Sequence, residues 1–181
     1  MEESKGDGVI IAIWGLTGAG KNTLGELIAE KLGYKHVCPT FKDVAKQEGV
    51  SLLEFQKMAE KDHRIDEKFD KILKEECSDG DSVVTTWLGP WMLDADVRIK
   101  LYVPEEERTR RIAARDKMTP EEALKHIKER DQNNIDRYRA VYEIDITDDN
   151  VFDACLNGGK FDPPQLLEIA LAVIKQKTGK A

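Results

Sequence analysis

A glycine-rich stretch near the start of the chain constrains the fold more than any other feature. Residues 9–14 read V-I-I-A-I-W, and Gly15, Gly18 and Gly20 follow closely before Lys21. Glycines let the backbone take turns that a Cβ would block, so successive amide groups point inward and form a cradle for an anion. The stretch therefore predicts a strand, a phosphate-binding loop and a helix.

The residues around the glycines indicate that the anion is a nucleoside triphosphate. The N-terminus of the following helix offers the positive end of its dipole, and Lys21 can reach the β- and γ-phosphates. The pattern G-x-x-x-x-G-K normally continues with a hydroxyl residue that binds magnesium, whereas Asn22 stands there and Thr23 comes one position later. A glycine turn of purely structural use is the alternative. We predict that ATP and Mg²⁺ bind here, with Thr23 as the metal ligand, through Gly15, Thr17, Gly18, Ala19, Gly20, Lys21, Asn22 and Thr23.

Strand and helix patterns alternate along the rest of the chain, which favours a parallel sheet covered by helices on both faces. Helices are expected after the loop, over 22–32, and at the end of the chain, where Asp162 and Gln165 form a capping box. Thr119 and Glu122 predict a second capping box. Residues 1–8 are expected to form a flexible tail. The other strands are expected at 36–38, 82–86, 97–103 and 152–156.

Bulk composition excludes several classes of protein. The net charge of −7 argues against a general nucleic-acid or anionic-membrane binder. No stretch approaches the length of a membrane span, and the N-terminus does not resemble a signal peptide, so a cytoplasmic protein is expected. The three cysteines are far apart and predict neither a zinc site nor a disulfide framework.

Arginine is concentrated in one segment. Seven of the nine arginines fall between Arg108 and Arg139, and the segment 108–142 is predicted to form a lid over the active site. Arginine forks bind phosphate oxygens bidentately, which suits closure over a transferring phosphoryl group. The polar run 128–134 interrupts the apolar stripe and is expected to project rather than join the core. Catalytic duty is predicted for Lys21, Arg111, Arg115, Arg130 and Arg137. The alternative for the four arginines is that they form ion pairs with Glu107, Asp131 or Asp136.

Several short motifs together resemble the nucleoside monophosphate kinases, and within them the archaeal-type cytidylate kinases. They are the loop, His36-Val37, S-L-x-E-F at 51–55, I-D-x-x-x-D at 65–70, Gly89-Pro90-Trp91-Met92, Asp94-Ala95-Asp96, E-E-A-L at 121–124, Glu129-Arg130, Arg137-Tyr138 and I-D-I at 144–146. The resemblance implies a single P-loop NTPase domain over 1–181, a three-layer α/β/α fold with a five-stranded parallel sheet. It also implies a helical insertion over about 40–77 that binds the acceptor nucleoside monophosphate, and a helical lid. A solvated helical cap is the other interpretation of that insertion.

The acceptor side departs from the family pattern. Where the family carries a Phe-Arg pair, this chain has Phe41 and Lys42, and where a Gly-Arg pair ends the third strand it has Trp87. Lysine keeps the positive charge but not the bidentate fork. Lys42, Asp66 and Trp87 are predicted to bind the acceptor.

The predicted reaction is transfer of the γ-phosphoryl group of ATP to CMP, dCMP or a related nucleotide by a monomeric enzyme. An acceptor phosphate is already largely dianionic at neutral pH, so the reaction requires no general base. Kinase activity on a hydroxyl compound is one alternative, and it would need a carboxylate such as Asp43, Asp66 or Asp70 beside the acceptor. A nucleotide-binding regulatory protein without phosphotransfer is the other.

Overall fold

A computed structural model describes residues 8–39, 44–46, 48–50, 54 and 71–180 of the chain. Within these residues, five parallel strands form one sheet in the order β2-β3-β1-β4-β5. The strands are β1 (Ile10–Trp14), β2 (Lys35–Val37), β3 (Ser82–Val84), β4 (Val97–Tyr102) and β5 (Ala154–Asn157). The central strand β1 is fully buried, and its carboxyl end leads into the glycine-rich loop.

The register of the sheet places apolar residues of β1 opposite apolar partners on both sides. Ile11 lies opposite Val83 of β3 and Val97 of β4. Successive side chains of a strand point to opposite faces. Ile11 and Ile13 accordingly join one core cluster, while Ile10 and Ala12 join another.

Helices cover both faces of this sheet. On one face lie α1 (Lys21–Leu32) and α5 (Pro163–Thr178), which contribute Leu24, Ile28, Leu166, Ala170 and Ile174 to the core. On the other face, Leu73 and Cys77 pack with Leu93 and Ala95, near the short helix α2 (Gly89–Met92). The three-layer α/β/α architecture and the parallel five-stranded sheet predicted from the sequence are confirmed.

The arginine-rich segment forms two helices, α3 (Glu105–Asp116) and α4 (Pro120–Tyr142), which pack on each other through Ile112, Ala123 and Ile127. Both predicted capping boxes are present, at Thr119 with Glu122 and at Asp162 with Gln165. None of the described helices is long and apolar enough to cross a membrane. The boundaries of the lid stay a prediction, and most of the predicted insertion lies outside the described residues.

Candidate active site

The glycine-rich loop leaves the end of β1 and turns into α1 with the geometry of an anion cradle. Gly18 and Gly20 have φ angles of 81° and 94°, a region that side chains with a Cβ rarely adopt. Helix α1 has no side-chain cap and no acidic residue in its first turn. Its first N–H groups and the positive end of its dipole are therefore available to a phosphate.

Lys21 is the cation of this loop. Burial, and next the guanidinium of Arg130, lower the pKa of Lys21 to about 8, while the carboxylate of Asp131 acts in the opposite direction. The ammonium is still mostly charged at neutral pH. Its Nζ lies 5.3 Å from the ring centroid of Trp87. Lys21 thus belongs to the loop and contacts Trp87, which lies three residues beyond the carboxyl end of β3.

Arg111 of α3 contacts the backbone of two loops. Its Nη1 donates to the carbonyl of Ala19 at 3.2 Å and its Nη2 to the carbonyl of Gly158 at 2.7 Å. Its Nε donates to Glu107 at 2.9 Å. Hydrogen bonds from Arg110 and Arg111 lower the pKa of Glu107 to about 2, so this carboxylate stays ionised and orients Arg111. Arg111 therefore forms the ion pair with Glu107 that was the alternative to a catalytic role, and this pair lies beside the loop.

The structure brings three of the four predicted arginines to the loop. Arg111, Arg115 and Arg130 line the cleft that contains the loop, whereas Arg137 is not among its lining residues. Arg115 pairs with the neighbouring Asp116 at 2.7 Å. The guanidinium of Arg130 makes no hydrogen bond or ion pair within the part of the chain that the structure describes, so it is available to a phosphate. The catalytic roles of all four arginines stay predictions.

The expectation that the polar run 128–134 projects from the fold is wrong at Asp131. This residue is 7% exposed, and its carboxylate lies 2.7 Å from Arg108, which is 6% exposed. Asp131 also accepts a hydrogen bond from the backbone of Thr17 at 3.0 Å. The spacing Ala123, Ile127, Asp131 continues the buried stripe of the helix. That spacing indicates a buried acid, which needs a charged partner. The prediction that the whole run 128–134 projects from the fold missed this signal.

The cleft has an apolar end that sequence reasoning also missed. It measures about 370 Å³ and extends from the loop to the turn after β5. Gly158, Phe161, Pro163 and Leu166 lie in or after the turn that follows β5, and Leu101 and Ile112 continue the apolar lining to Gly15 and Gly18 of the loop. Phe161 is an exposed aromatic side chain, 42% accessible, at the mouth of the cleft. An exposed phenylalanine in a turn carries little signal by itself, because its partners come from distant parts of the chain.

Aromatic side chains occupy the region at the end of β3. Trp87 packs edge-on against Trp14 with ring centroids 6.2 Å apart, and Trp91 contacts Trp14 at the same distance. Nearby, the His36 ring nitrogen Nε2 lies 3.0 Å from the hydroxyl of Thr85, which joins β2 to the end of β3. Lys42, Asp66 and the alternative carboxylates Asp43 and Asp70 lie outside the described residues.

The residues at the loop fit a magnesium ion that arrives with a nucleotide. Thr23 is exposed in the first turn of α1 and lines the cleft with Lys21. Within the described ranges, no group of three or more His, Cys, Asp or Glu side chains is placed to hold a metal. Mg²⁺ usually keeps several waters and is held by few protein ligands together with substrate phosphates, so a single hydroxyl is compatible with it.

Two solved structures are similar to this chain in fold. A shikimate kinase from Acinetobacter baumannii is 19% identical, with a TM-score of 0.60 over 96% of this chain and 97% of that one. A deoxyadenosine kinase from M. mycoides is 16% identical, with a TM-score of 0.54 over 93% and 100%. At these identities the likeness concerns the fold alone. Together with the loop, it defines a nucleotide-binding α/β protein of the P-loop kinase fold.

The chain belongs to the cytidylate kinase-like family, whose model matches residues 10–160. A cytidylate kinase of Pyrococcus horikoshii is 39% identical over 93% of this chain and 89% of its own length. That of Ignicoccus hospitalis is 37% identical over 88% and 95%, and that of Methanocaldococcus jannaschii is 35% identical over 92% and 97%. The resemblance predicted from the motifs is confirmed, and with it the prediction of a phosphotransferase of the nucleoside monophosphate kinase type.

Proposed function

We propose that this protein is an ATP- and Mg²⁺-dependent nucleoside monophosphate kinase that transfers the γ-phosphoryl group of ATP to CMP or dCMP. The observation that carries the proposal is the convergence of the loop, Lys21 and three arginines on one cleft. Triphosphates are highly charged, and such a concentration of donors is suited to bind them. The names of the relatives favour cytidine monophosphates as acceptors.

ATP would lie along the cleft with its two chemically different parts at the two ends. The phosphates would contact the loop amides, Lys21 and Arg130, while the base would lie against the apolar end at Phe161 and Pro163. Flat apolar walls suit the face of a purine, since aromatic and aliphatic side chains stack on it at little desolvation cost. The proposed donor site therefore accounts for both ends of the cleft.

Catalysis in this site would consist of positioning and neutralisation of charge. When bound at Thr23, Mg²⁺ would neutralise charge on the transferring phosphoryl group. Lys21 and Arg130 would stabilise the same group from the protein side, and the loop amides would hold the leaving diphosphate. Lys42, Asp66 and Trp87 are proposed to hold the acceptor. The acceptor phosphate is already an adequate nucleophile, so no protein side chain has to remove a proton.

The test is an ADP-release assay with Mg²⁺-ATP across all ribo- and deoxyribonucleoside monophosphates. CMP or dCMP should raise the rate most, and Lys21→Ala should abolish the increase. Lys31→Ala, at the exposed end of the same helix, is the matched control and should keep wild-type turnover. If no monophosphate raises the rate above that of ATP alone, the proposal is wrong and a regulatory nucleotide-binding role gains support. If only a hydroxyl compound raises it, the protein is a small-molecule kinase.

A further inference from the structure

The backbone of one residue of the phosphate-binding loop, Thr17, is held from both sides by a buried ion pair. The N–H of Thr17 donates to Asp131 Oδ1 at 3.0 Å, and the carbonyl of Thr17 accepts from Arg108 Nη1 at 3.0 Å. The same Nη1 lies 2.7 Å from Asp131 Oδ2. All three residues are less than a tenth exposed. The loop, α3 and α4 therefore meet in one closed set of hydrogen bonds.

The attraction between the two charges does not by itself account for a charged pair at this position. Removing two charges from water costs more than their attraction returns in many proteins, and apolar replacements of similar volume are often neutral or stabilising. Apolar side chains, however, cannot satisfy the N–H and the carbonyl of Thr17, which the fold buries. Arg108 and Asp131 satisfy both groups at once, and Arg108 Nε also donates to the carbonyl of Val103.

The same pair fixes where the arginines of the cleft stand. Arg108 is one helical turn before Arg111, and Asp131 directly follows Arg130, so each partner is rigidly connected to a residue that lines the cleft. The loop also fits closely against α3, since a Cβ on Gly18 would lie 3.1 Å from the carbonyl oxygen of Arg108. A shift of the loop relative to either helix would therefore change the distance between the phosphates and their ligands.

We propose that Arg108 and Asp131 are positioning residues, which hold the phosphate-binding loop at the distance from Arg111 and Arg130 that phosphoryl transfer requires. The inference rests on the proposed function, because it assigns the arginines to the phosphates of ATP. Misplacement of reacting groups by about 1 Å can cost on the order of a hundredfold in rate. Loss of the pair should therefore lower turnover and ATP affinity even where the fold survives.

The experiment compares Arg108→Met, Asp131→Leu and the double variant with the wild-type protein. Each single variant leaves one buried charge without its partner and should unfold at a lower temperature. The double variant removes both charges but leaves the N–H and the carbonyl of Thr17 unpaired, so it should regain only part of that stability. Affinity for Mg²⁺-ATP, measured by calorimetry, and kcat with CMP should stay about tenfold or more below wild type in all three. If the pair has only a structural role, the affinity for Mg²⁺-ATP and kcat should instead recover together with stability.

Arg139→Met is the matched control. Arg139 lies on α4 and pairs with Asp145 at 2.8 Å, but both side chains are about half exposed and neither lines the cleft. Its loss should change stability, ATP affinity and kcat little. If the double variant binds Mg²⁺-ATP and turns over within twofold of wild type, the positioning role is wrong.

Two further arms keep the result decisive. Should the double variant not fold, Arg108→Lys replaces it, because a single ammonium cannot make all the contacts of the guanidinium. A decrease of threefold or more in kcat/KM for ATP then supports the role, and a wild-type value overturns it.

Should the wild-type protein phosphorylate no monophosphate, the proposed function fails, but the affinity for Mg²⁺-ATP still tests the positioning role. A tenfold loss of affinity in the folded variants supports that role, and unchanged affinity overturns it.

Discussion

The proposed donor side and the proposed acceptor side of this molecule are built from different chemistry. At the donor side, the loop after β1 faces guanidinium groups from two helices. The buried carboxylate of Asp131 pairs α4 with Arg108 of α3, and Glu107 orients Arg111 within α3. At the end of β3, where the family resemblance places the acceptor, tryptophan rings pack on each other and the sequence has no arginine from 85 to 92. Charged groups thus predominate at the loop, and packed aromatic rings predominate at the end of β3.

Lys21 connects the two sides, since it belongs to the loop and lies over the ring of Trp87. A kinase must hold a triphosphate and an acceptor in line, so the two sides have to be placed relative to each other with little freedom. Because their chemistry differs, substitutions should affect the two substrates separately.

The largest effect is expected for Arg130→Ala. The guanidinium of Arg130 lines the cleft, and arginines that contact a transferring phosphoryl group contribute roughly a thousandfold or more to turnover. We expect kcat for ADP release with CMP to fall by about that factor. Arg110→Ala is the control, because Arg110 is on the exposed side of α3 and, among the residues that the structure describes, pairs with Glu107 alone. A kcat within threefold of wild type for Arg130→Ala would show that Arg130 does not contact the transferring phosphoryl group.

The contact between the two sides is tested by Gly25→Ala. A Cβ at this position would lie 2.3 Å from the Cγ2 methyl of Thr85, so α1 and the end of β3 would have to separate. Overpacking of this kind costs about 1–3 kcal/mol of unfolding free energy, measured by denaturant titration. Adding Thr85→Ser removes the methyl group and should recover part of the loss. A double variant as unstable as Gly25→Ala would show that the methyl group of Thr85 is not the source of the clash.

Trp87→Ala tests the acceptor side alone. Stacking of a base on an aromatic ring is worth about 1–3 kcal/mol, so the KM for CMP should rise about tenfold or more. The KM for ATP should change less than threefold, and Trp87→Phe should retain most of the affinity for CMP. An equal rise in both KM values would assign Trp87 to the placement of Lys21 rather than to the acceptor.

The smallest effect concerns His36, which joins β2 to Thr85. Burial lowers the pKa of His36, and the carboxylate of Glu26 opposes the change. The folded protein thus prefers the neutral ring, so stability should fall as pH decreases below about 6.5. The contribution is expected to be less than about 1 kcal/mol, because the site is partly hydrated. Stability curves at pH 7.5 and 5.5 should differ less for His36→Gln than for wild type.

Local features of the chain were predictable from the sequence because local chemistry determines them. The turn at Gly18 and Gly20 depends on backbone conformation, and the two capping boxes depend on side chains three residues apart. The order of the apolar runs was sufficient to predict the parallel sheet. Each run is too short for a helix, and a helical pattern separates it from the next run. Even so, the predicted strand 82–86 ends earlier, at Val84. The N–H of Thr85 still donates to the carbonyl of Val37, and the hydroxyl of Thr86 then accepts from the N–H of Gly89, where α2 begins.

Features that depend on distant partners were not predictable. Asp131 belongs to a polar run, and its burial makes sense only once Arg108 and the backbone of Thr17 are beside it. The apolar end of the cleft combines side chains from β4, α3 and the start of α5, which no local pattern connects. Two of the three predicted acceptor residues, Lys42 and Asp66, lie outside the described residues, so their roles stay predictions.

The packing of the aromatic residues gives this protein a built-in optical reporter. The chain has three tryptophans, and Trp14, Trp87 and Trp91 all belong to one cluster beneath Lys21. The intrinsic fluorescence of the protein therefore comes from a single neighbourhood next to the loop. A triphosphate that draws the Lys21 ammonium away from the Trp87 ring should change the emission spectrum directly. Rapid mixing with ATP would then follow donor binding in unlabelled protein, separately from the chemical step.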